Sequence, residues 1–257
     1  MYLKQIGTYW DTRAEGYSFS IRSQLCSEVG DYFRKILKDS APKGNGLSCL
    51  DIGCGPGFFS ILLAQEGHLV TAVDYSENML CQAARNFSEM GVEVSTKQGD
   101  AQNLPFPDGS FDYIVSRNLV WNLEQPEHAY REWLRLLKPG GHLLVADGNH
   151  YLHYYDDDYL CAKENTSQQH NCYGVDPTPI NKIAHTLPLS QMHRPAWDMD
   201  KLLQMGIDQI NTRVSRTAYT DPDSGENKSL IADFVICARK PVYSVGENKE
   251  HQHELAL

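Results

Sequence analysis

A glycine-rich turn and a nearby aspartate contain the residue types with the clearest chemistry. The stretch "LDIGCGPGFF" places Gly53, Gly55 and Gly57 between an apolar run and a helical pattern. Glycines in such a turn permit positive φ angles and let a ligand touch the main chain. Asp51 lies two residues before Gly53. A carboxylate there suits an ammonium or sulfonium group better than the pyrophosphate that many glycine turns bind.

Two further aspartates follow the next strand-like segments. Asp74 ends "HLVTAVD", where a carboxylate can accept hydrogen bonds from both hydroxyls of a ribose. Asp100 follows "VEVSTKQG" and can accept a hydrogen bond from the exocyclic amine of adenine. The glycine turn and the three aspartates therefore predict a site for a cationic adenosyl ligand without phosphates.

Alternating strand-like and helical segments must position these residues. From about residue 44 to 148, five strand patterns alternate with helical patterns, which predicts a parallel sheet covered on both faces. Ser76 is the expected N-cap of one helix, and Gly91 its stop. With two more strands near the C-terminus, we expect a Rossmann-like, doubly wound α/β fold whose sheet has seven strands and is mostly parallel.

The remaining segments flank this core. We expect an N-terminal helical cap at 1–43, the cofactor-binding core at 44–148, and a lid insertion after the fifth strand at 149–195. Residues 196–240 would add the final helix and strands of the core. The polar segment 241–257 would form a flexible tail.

Composition and charge limit the function classes. The chain has 257 residues, 41% hydrophobic and 22% charged, which is typical of a soluble globular protein. We expect a cytoplasmic protein, because we find no apolar run of membrane-spanning or signal-peptide type. The net charge of -10 argues against a nucleic-acid partner. The seven cysteines form no CxxC pair, which fits a reducing compartment.

Four motifs in order resemble the class I S-adenosylmethionine-dependent methyltransferases. They are "LDIGCGPGFFS", "VTAVDYSENML", "QGDAQNLPFPDGSFDYIVS" and "LKPGGHLLV". Within that class they look most like the small-molecule branch that includes the ubiquinone and menaquinone biosynthesis enzymes. The resemblance covers about residues 1–148 and, more loosely, 196–240. It implies S-adenosyl-L-methionine as cofactor and in-line methyl transfer to a small-molecule acceptor. A cofactor-binding protein without catalysis and a nicotinamide-dependent oxidoreductase are the alternatives, and the early third glycine counts against the latter.

The resemblance also implies which residues contact the cofactor. The glycine turn and the end of the fourth strand would hold the methionine moiety. The ends of the second and third strands would hold ribose and adenine, and the N-terminal segment "YWDTRAEGYS" would close over them. In chain order, these residues are Tyr9, Trp10, Tyr17, Asp51, Gly53, Cys54, Gly55, Asp74, Tyr75, Met79, Asp100, Ala101, Ser116 and Arg117.

Catalysis requires alignment of the acceptor and, for a protonated acceptor, a general base. The candidate bases are Asp147, His150 and His153, which follow the fifth strand. Each residue also has a non-catalytic interpretation. Asp147 could cap the next segment, and either histidine could lie at the surface. Catalysis by alignment of the acceptor and the cofactor alone, without a general base, is an equally good alternative.

The stretch "NHYLHYYDDDYLCAKENTSQQHNC" combines histidines, aspartates and cysteines at 149–172. His150-x-x-His153 and His170-x-Cys172 are only loosely compatible with a zinc site, which usually has tight ligand pairs. We therefore predict no metal, and instead a lid that lines the acceptor pocket with Tyr151 and its neighbours Tyr154 and Tyr155, together with Trp121. A surface insertion or a homodimer contact is the alternative for this stretch.

Overall fold

A seven-stranded sheet forms the centre of the protein. The computed structural model describes residues 2–165, 172–222 and 224–242. The strands follow the order β3-β2-β1-β4-β5-β7-β6. Their bounds are β1 Ser48–Ile52, β2 Leu69–Asp74, β3 Ser95–Gln98, β4 Phe111–Arg117, β5 Leu137–Gly148, β6 Gln209–Thr220 and β7 Asn227–Arg239.

The strand directions confirm the predicted doubly wound fold. β1 pairs in parallel with β2 and β4, β2 with β3, and β4 with β5. β7 then runs antiparallel between β5 and β6. The sheet order reverses at β1, where the chain crosses from the β2–β3 side to β4. In sheets of this kind, the carboxyl ends of the strands at that reversal form the binding crevice.

Eight α-helices occur in the described parts of the chain. They are α1 Leu3–Leu25, α2 Glu28–Ser40, α3 Phe58–Gln65, α4 Glu77–Glu89, α5 Pro126–Leu136, α6 Asp157–Asn165, α7 Thr178–Ala184 and α8 Ala196–Gln204. The expected N-cap of α4 is present, because the Ser76 side chain accepts the Met79 backbone N–H. Gly91 follows this helix with a φ of 64°, as its role as a stop requires.

Apolar side chains cover both faces of the sheet. On one face, α2 and α3 pack on β1 and β4 through Leu37, Ile61 and Val115. On the other face, α5 and α8 pack on the sheet through Trp133 and Leu202. Because β1 and β4 are buried on both faces, their sequences are nearly continuous apolar runs.

The flanking segments differ in how well the sequence predicts them. The helical character of the N-terminal 43 residues appears as α1 and α2. Residues 149–195 show no helical period, yet they contain α6 and α7. His170 and the predicted tail beyond residue 242 lie outside the described residues. Within the described ranges, no helix combines the length and the apolar character that a membrane span requires.

Candidate cofactor site

A cavity of about 950 Å³ opens at the carboxyl ends of β1, β2 and β4. Its floor is the glycine turn between β1 and α3, and its sides are the segments that follow β2, β3 and β4. The face of α1 that carries Leu3, Ile6 and Trp10 forms the roof.

The glycine turn requires glycine for reasons of space as well as backbone angle. Gly53 has a φ of 65°, and Gly57 has a φ of 96°. A Cβ at Gly53 would lie 2.7 Å from a methyl carbon of Leu119, and one at Gly57 would lie 2.4 Å from the Phe87 ring. The turn therefore presents bare backbone to the cavity and packs closely beneath it.

Asp51 and Asp74 present carboxylates to the cavity from adjacent strands. Asp51 Oδ2 accepts the backbone N–H and the hydroxyl of Ser60 at 2.9 and 2.6 Å. Asp74 accepts the backbone N–H groups of Gly55 and Ser76 at 2.8 and 2.9 Å. Removal from water raises the pKa of Asp51 to about 7 and that of Asp74 to about 6. Among the described residues, neither carboxylate forms an ion pair, and Arg117 lowers the pKa of Asp51 only as a smaller effect than burial. Both carboxylates can therefore receive a cationic or hydroxyl-bearing ligand.

Arg117 supplies the positive charge at the opposite side of the glycine turn. Its Nη2 donates to Gln24 Oε1 at 2.6 Å, and its guanidinium lies 4.2 Å from the Phe58 ring centroid and 4.9 Å from that of Phe33. Burial lowers the pKa of Arg117. Its buried Nη1 has no hydrogen-bond partner among the described residues, which leaves one donor available for an anionic group of a ligand.

Most of the residues predicted to contact the cofactor line this one cavity. They are Trp10, Tyr17, Asp51, Gly53, Cys54, Gly55, Asp74, Tyr75, Met79, Asp100, Ala101 and Arg117. Tyr9 and Ser116 do not line it. Tyr9 faces the other side of α1 and packs with Ile180 and Ile183, and the Ser116 hydroxyl donates to the Ile52 carbonyl at 3.0 Å, which ties β4 to β1.

Sequence reasoning missed several residues of the cavity wall. Asn118, Leu119, Asn122 and Leu123 follow β4 and line the cavity. Asn118 adopts a φ of 53°, and the buried Asn122 Oδ1 lacks a hydrogen-bond partner. Gly7 had a detectable signal, because a glycine inside a helical pattern indicates close packing; a Cβ there would lie 2.5 Å from the Tyr75 ring.

The three candidate bases lie outside the cavity wall. Asp147 is buried and forms an ion pair with Arg194 at 2.9 Å. Although burial opposes ionisation, Arg194 holds the pKa of Asp147 down at about 2. His150 Nε2 lies 3.3 Å from Asp147 Oδ1. His153 Nε2 lies 2.6 Å from Lys163 Nζ, and burial together with that cation lowers the pKa of His153 to about 4. This placement favours structural roles, and their catalytic roles stay predictions.

The segment at 149–195 packs behind the cavity roof. Within its described residues, none lines the cavity. Instead, Ile180, Ile183 and Leu187 form an apolar cluster with Ile6 and Trp121. The ring centroids of Tyr151 and Trp121 lie 5.1 Å apart, and those of Trp121 and Trp10 lie 6.4 Å apart. In the described residues, no group of three or more His, Cys, Asp or Glu side chains is arranged to hold a metal ion.

Comparison with known proteins agrees with this geometry. Residues 50–145 match the model of the methyltransferase domain. The core therefore carries the sequence features of a methyltransferase domain. The match begins in β1 and ends in β5, so it contains the glycine turn and all three cavity aspartates.

Curated relatives match the core but not their whole length. The chain is 40% identical over 107 residues to a demethylmenaquinone methyltransferase of Listeria monocytogenes serotype 4a, covering 40% of this chain and 45% of that protein. It is 38% identical over 129 residues to a malonyl-[acyl-carrier protein] O-methyltransferase of Erwinia pyrifoliae, covering 50% of this chain and 46% of that protein. The chain thus spans less than half the length of these two relatives.

A solved structure extends the likeness in fold beyond the core. The phosphoethanolamine N-methyltransferase 2 of Haemonchus contortus, in complex with S-adenosyl-L-methionine, superposes with a TM-score of 0.57 at 19% identity. The superposition covers 82% of this chain and 52% of that one. At this identity the match shows the fold, and the acceptor must be argued from the site.

Proposed function

We propose that the protein transfers a methyl group from S-adenosyl-L-methionine to a small-molecule acceptor. The observation that carries the proposal is the convergence of the glycine turn, Asp51, Asp74 and Asp100 on one cavity. The curated relatives named above are methyltransferases with small-molecule or carrier-bound substrates in their names. When bound, the cofactor supplies a methyl group already activated on a sulfonium sulfur.

The cavity residues fit this cofactor. Bare backbone at Gly53 and Gly55 leaves room for the methionine moiety, and the unpaired Nη1 of Arg117 suits its carboxylate. Asp51 suits its ammonium group. Asp74 uses each oxygen for one backbone N–H, so each oxygen keeps a lone pair for a ribose hydroxyl.

The roof would align the reactants and exclude water. The rings of Trp10 and Tyr17, two turns apart on α1, have their centroids 5.9 Å apart, and both residues line the cavity. Orientation of two reactants in a closed site can supply roughly 7–11 kcal/mol in favourable cases. Aromatic walls also favour a flat or cationic acceptor.

The mechanism we propose needs no general base. Of the described residues in the cavity wall, the carboxylates Asp51, Asp74 and Asp100 are assigned to the cofactor, and no histidine or lysine is present. The acceptor would then arrive with a free lone pair or as an anion, and the protein would contribute alignment.

Calorimetric titration followed by a turnover assay tests the proposal. We expect S-adenosyl-L-methionine and S-adenosylhomocysteine to bind and NADH not to bind. Incubation with methyl-labelled cofactor and a metabolite extract should then give a labelled small molecule. Binding of NADH alone would contradict the proposal, whereas cofactor binding without labelled product across a broad extract would favour a binding protein without catalysis.

Three further assignments stay predictions from the sequence. They are the cytoplasmic location, the absence of nucleic-acid and membrane partners, and a homodimer. Size-exclusion chromatography with light scattering tests the last of these directly.

A further inference from the structure

Asp11 connects the roof helix α1 to the segment next to Asp74, the carboxylate that we assign to the ribose. Asp11 Oδ1 accepts the Ser76 hydroxyl at 2.5 Å and the Asn78 backbone N–H at 3.2 Å. The backbone carbonyl of Asp11 accepts Asn78 Nδ2 at 3.3 Å. Ser76 in turn donates its own backbone N–H to Asp74 Oδ1 at 2.9 Å. A single residue, Ser76, therefore connects Asp11 on the roof with Asp74 in the cavity.

Asp11 acts as a second cap for α4, contributed by another helix. The Ser76 hydroxyl satisfies the Met79 N–H, and Asp11 satisfies the Asn78 N–H. A carboxylate at this position is favoured by the positive end of the helix dipole. The cap also holds α1 close to the segment after β2, where the backbone of Gly7 lies against the Tyr75 ring.

We propose that Asp11 is a positioning residue for the cofactor. Asp11 does not line the cavity, so it acts through its neighbours. It keeps α1 closed over the cavity and, through Ser76, keeps Asp74 oriented toward the ribose. This inference rests on the proposed function, because it assigns Asp74 to the cofactor.

The charge of Asp11 has a separate effect from its hydrogen bonds. Asp11 and Asp74 repel each other as carboxylates, which contributes to the raised pKa of Asp74 after the larger effect of removal from water. The other titratable groups that interact with Asp74 are Asp51 in β1 and Cys54 in the glycine turn. Geometry and charge can therefore be separated by substitution at Asp11 alone.

The first test compares two polar contacts between α1 and α4. Asp11→Ala removes the cap near Asp74, whereas Glu89→Ala removes the exposed ion pair of Arg22 with Glu89, 2.8 Å apart, at the far end of α4. We expect Asp11→Ala to weaken S-adenosylhomocysteine binding about tenfold by calorimetry, the scale of a lost helix cap. Glu89→Ala should change it less than about twofold, since exposed ion pairs contribute little.

The second test uses Asp11→Asn, which keeps the accepting oxygen and removes the charge. At pH 8, Asp74 is ionised in both the wild type and the variant. The affinity of Asp11→Asn for S-adenosylhomocysteine should therefore stay within about twofold of wild type. The midpoint of the pH dependence should move to lower pH, because Asp74 then ionises more easily. This shift would show that Asp11 lies beside Asp74 in the protein that binds the ligand.

The outcomes separate this inference from the proposed function. If the wild type binds and Asp11→Ala binds equally well, or if Asp11→Ala and Glu89→Ala weaken binding to the same extent, the inference is overturned. If Asp11→Ala does not fold, an unchanged midpoint for Asp11→Asn overturns it. If the wild type itself does not bind S-adenosylhomocysteine, the proposed function fails instead.

Discussion

Aspartates at one edge of the same sheet have opposite surroundings. Asp51 is buried near the end of β1, and Asp74 is half-buried at the end of β2 beside the cavity. Among the described residues, neither forms an ion pair, and their pKa values are raised to about 7 and about 6. Asp147 lies near the end of β5 and pairs with Arg194, which also pairs with Asp198 at 2.7 Å. The pKa of Asp147 is lowered to about 2.

The unpaired aspartates are suited to binding a ligand, whereas the paired Asp147 is suited to holding a chain segment in place. A buried carboxylate without a cation favours any ligand that supplies one, whereas a paired carboxylate is already satisfied. Arg194 lies at the end of the 149–195 segment, so its two ion pairs fix that segment to β5 and α8. The cavity edge is thus prepared for a cation, and the β5 edge holds the segment in place.

The largest expected effect is on the anchoring side. Arg194→Ala leaves Asp147 and Asp198 buried without the guanidinium that they share and should lower the free energy of unfolding by about 3–5 kcal/mol. Urea denaturation measures this loss. As a control, Lys201→Ala removes a pair with Glu127 at 3.6 Å in a more exposed place and should cost less than about 1 kcal/mol. Equal losses for the two variants would mean that the ion pairs of Arg194 do not anchor the segment.

On the binding side, Asp74→Ala should weaken S-adenosyl-L-methionine binding by about 1–3 kcal/mol, because hydrogen bonds to a charged group are lost. Calorimetric titration measures the change. Asp176→Ala is a matched control, since Asp176 caps α7 away from the cavity. Unchanged affinity in Asp74→Ala would mean that the ligand lies elsewhere in the cavity.

Cofactor affinity should depend on pH in a direction that the pKa values set. Asp51 and Asp74 are protonated and neutral below about pH 7 and pH 6, and a neutral carboxyl attracts the ammonium less. Affinity should therefore fall as pH decreases from 8 to 5, by up to about tenfold per unit for each carboxyl below its pKa. Titrations at several pH values measure this slope, and a flat profile would contradict the assignment.

The pKa of Asp147 is shifted in the opposite direction, and its ionisation should affect stability rather than binding, at lower pH. Its pKa of about 2 lies below that of an unfolded chain, near 3.9. Its ion pair therefore stabilises the fold above about pH 4, and this contribution is lost as pH falls through 2.

The variant with the smallest expected effect tests whether the 149–195 segment contacts the cofactor. Tyr151→Phe removes the hydrogen bond from the Tyr151 hydroxyl to Asn181 Oδ1, 3.0 Å long, and should cost about 1 kcal/mol of unfolding free energy. Cofactor affinity should not change, because Trp121 lies against Tyr151 and Tyr151 is not in the cavity wall. A weaker affinity in this variant would place the segment at the site after all.

Sequence predicted the cavity edge well because its determinants are local. The glycine turn, Ser76 as N-cap and the strand-end positions of Asp51 and Asp74 all follow from short stretches of chain. The doubly wound fold followed from the alternation of strand and helix patterns, and it is confirmed.

The β5 edge depends on contacts between distant residues. Asp147 and Arg194 are 47 positions apart, and no local pattern links them. α6 and α7 are short, and α6 has only one buried residue, so no apolar period marks it. For the same reason, Asp11 was not predicted as a partner of Ser76, 65 positions away.

The aromatic contact between Trp10 and Trp121 gives the protein an internal optical reporter. Trp10 lines the cavity, and its ring centroid lies 6.4 Å from that of Trp121. The other two of the four tryptophans, Trp133 of α5 and Trp197 of α8, pack against Tyr130 of α5. A molecule entering the cavity changes the polarity around one indole pair and leaves the other pair in its apolar core. Tryptophan emission can therefore follow ligand entry in the unlabelled protein, with Trp10→Phe as the variant that identifies the source of the signal.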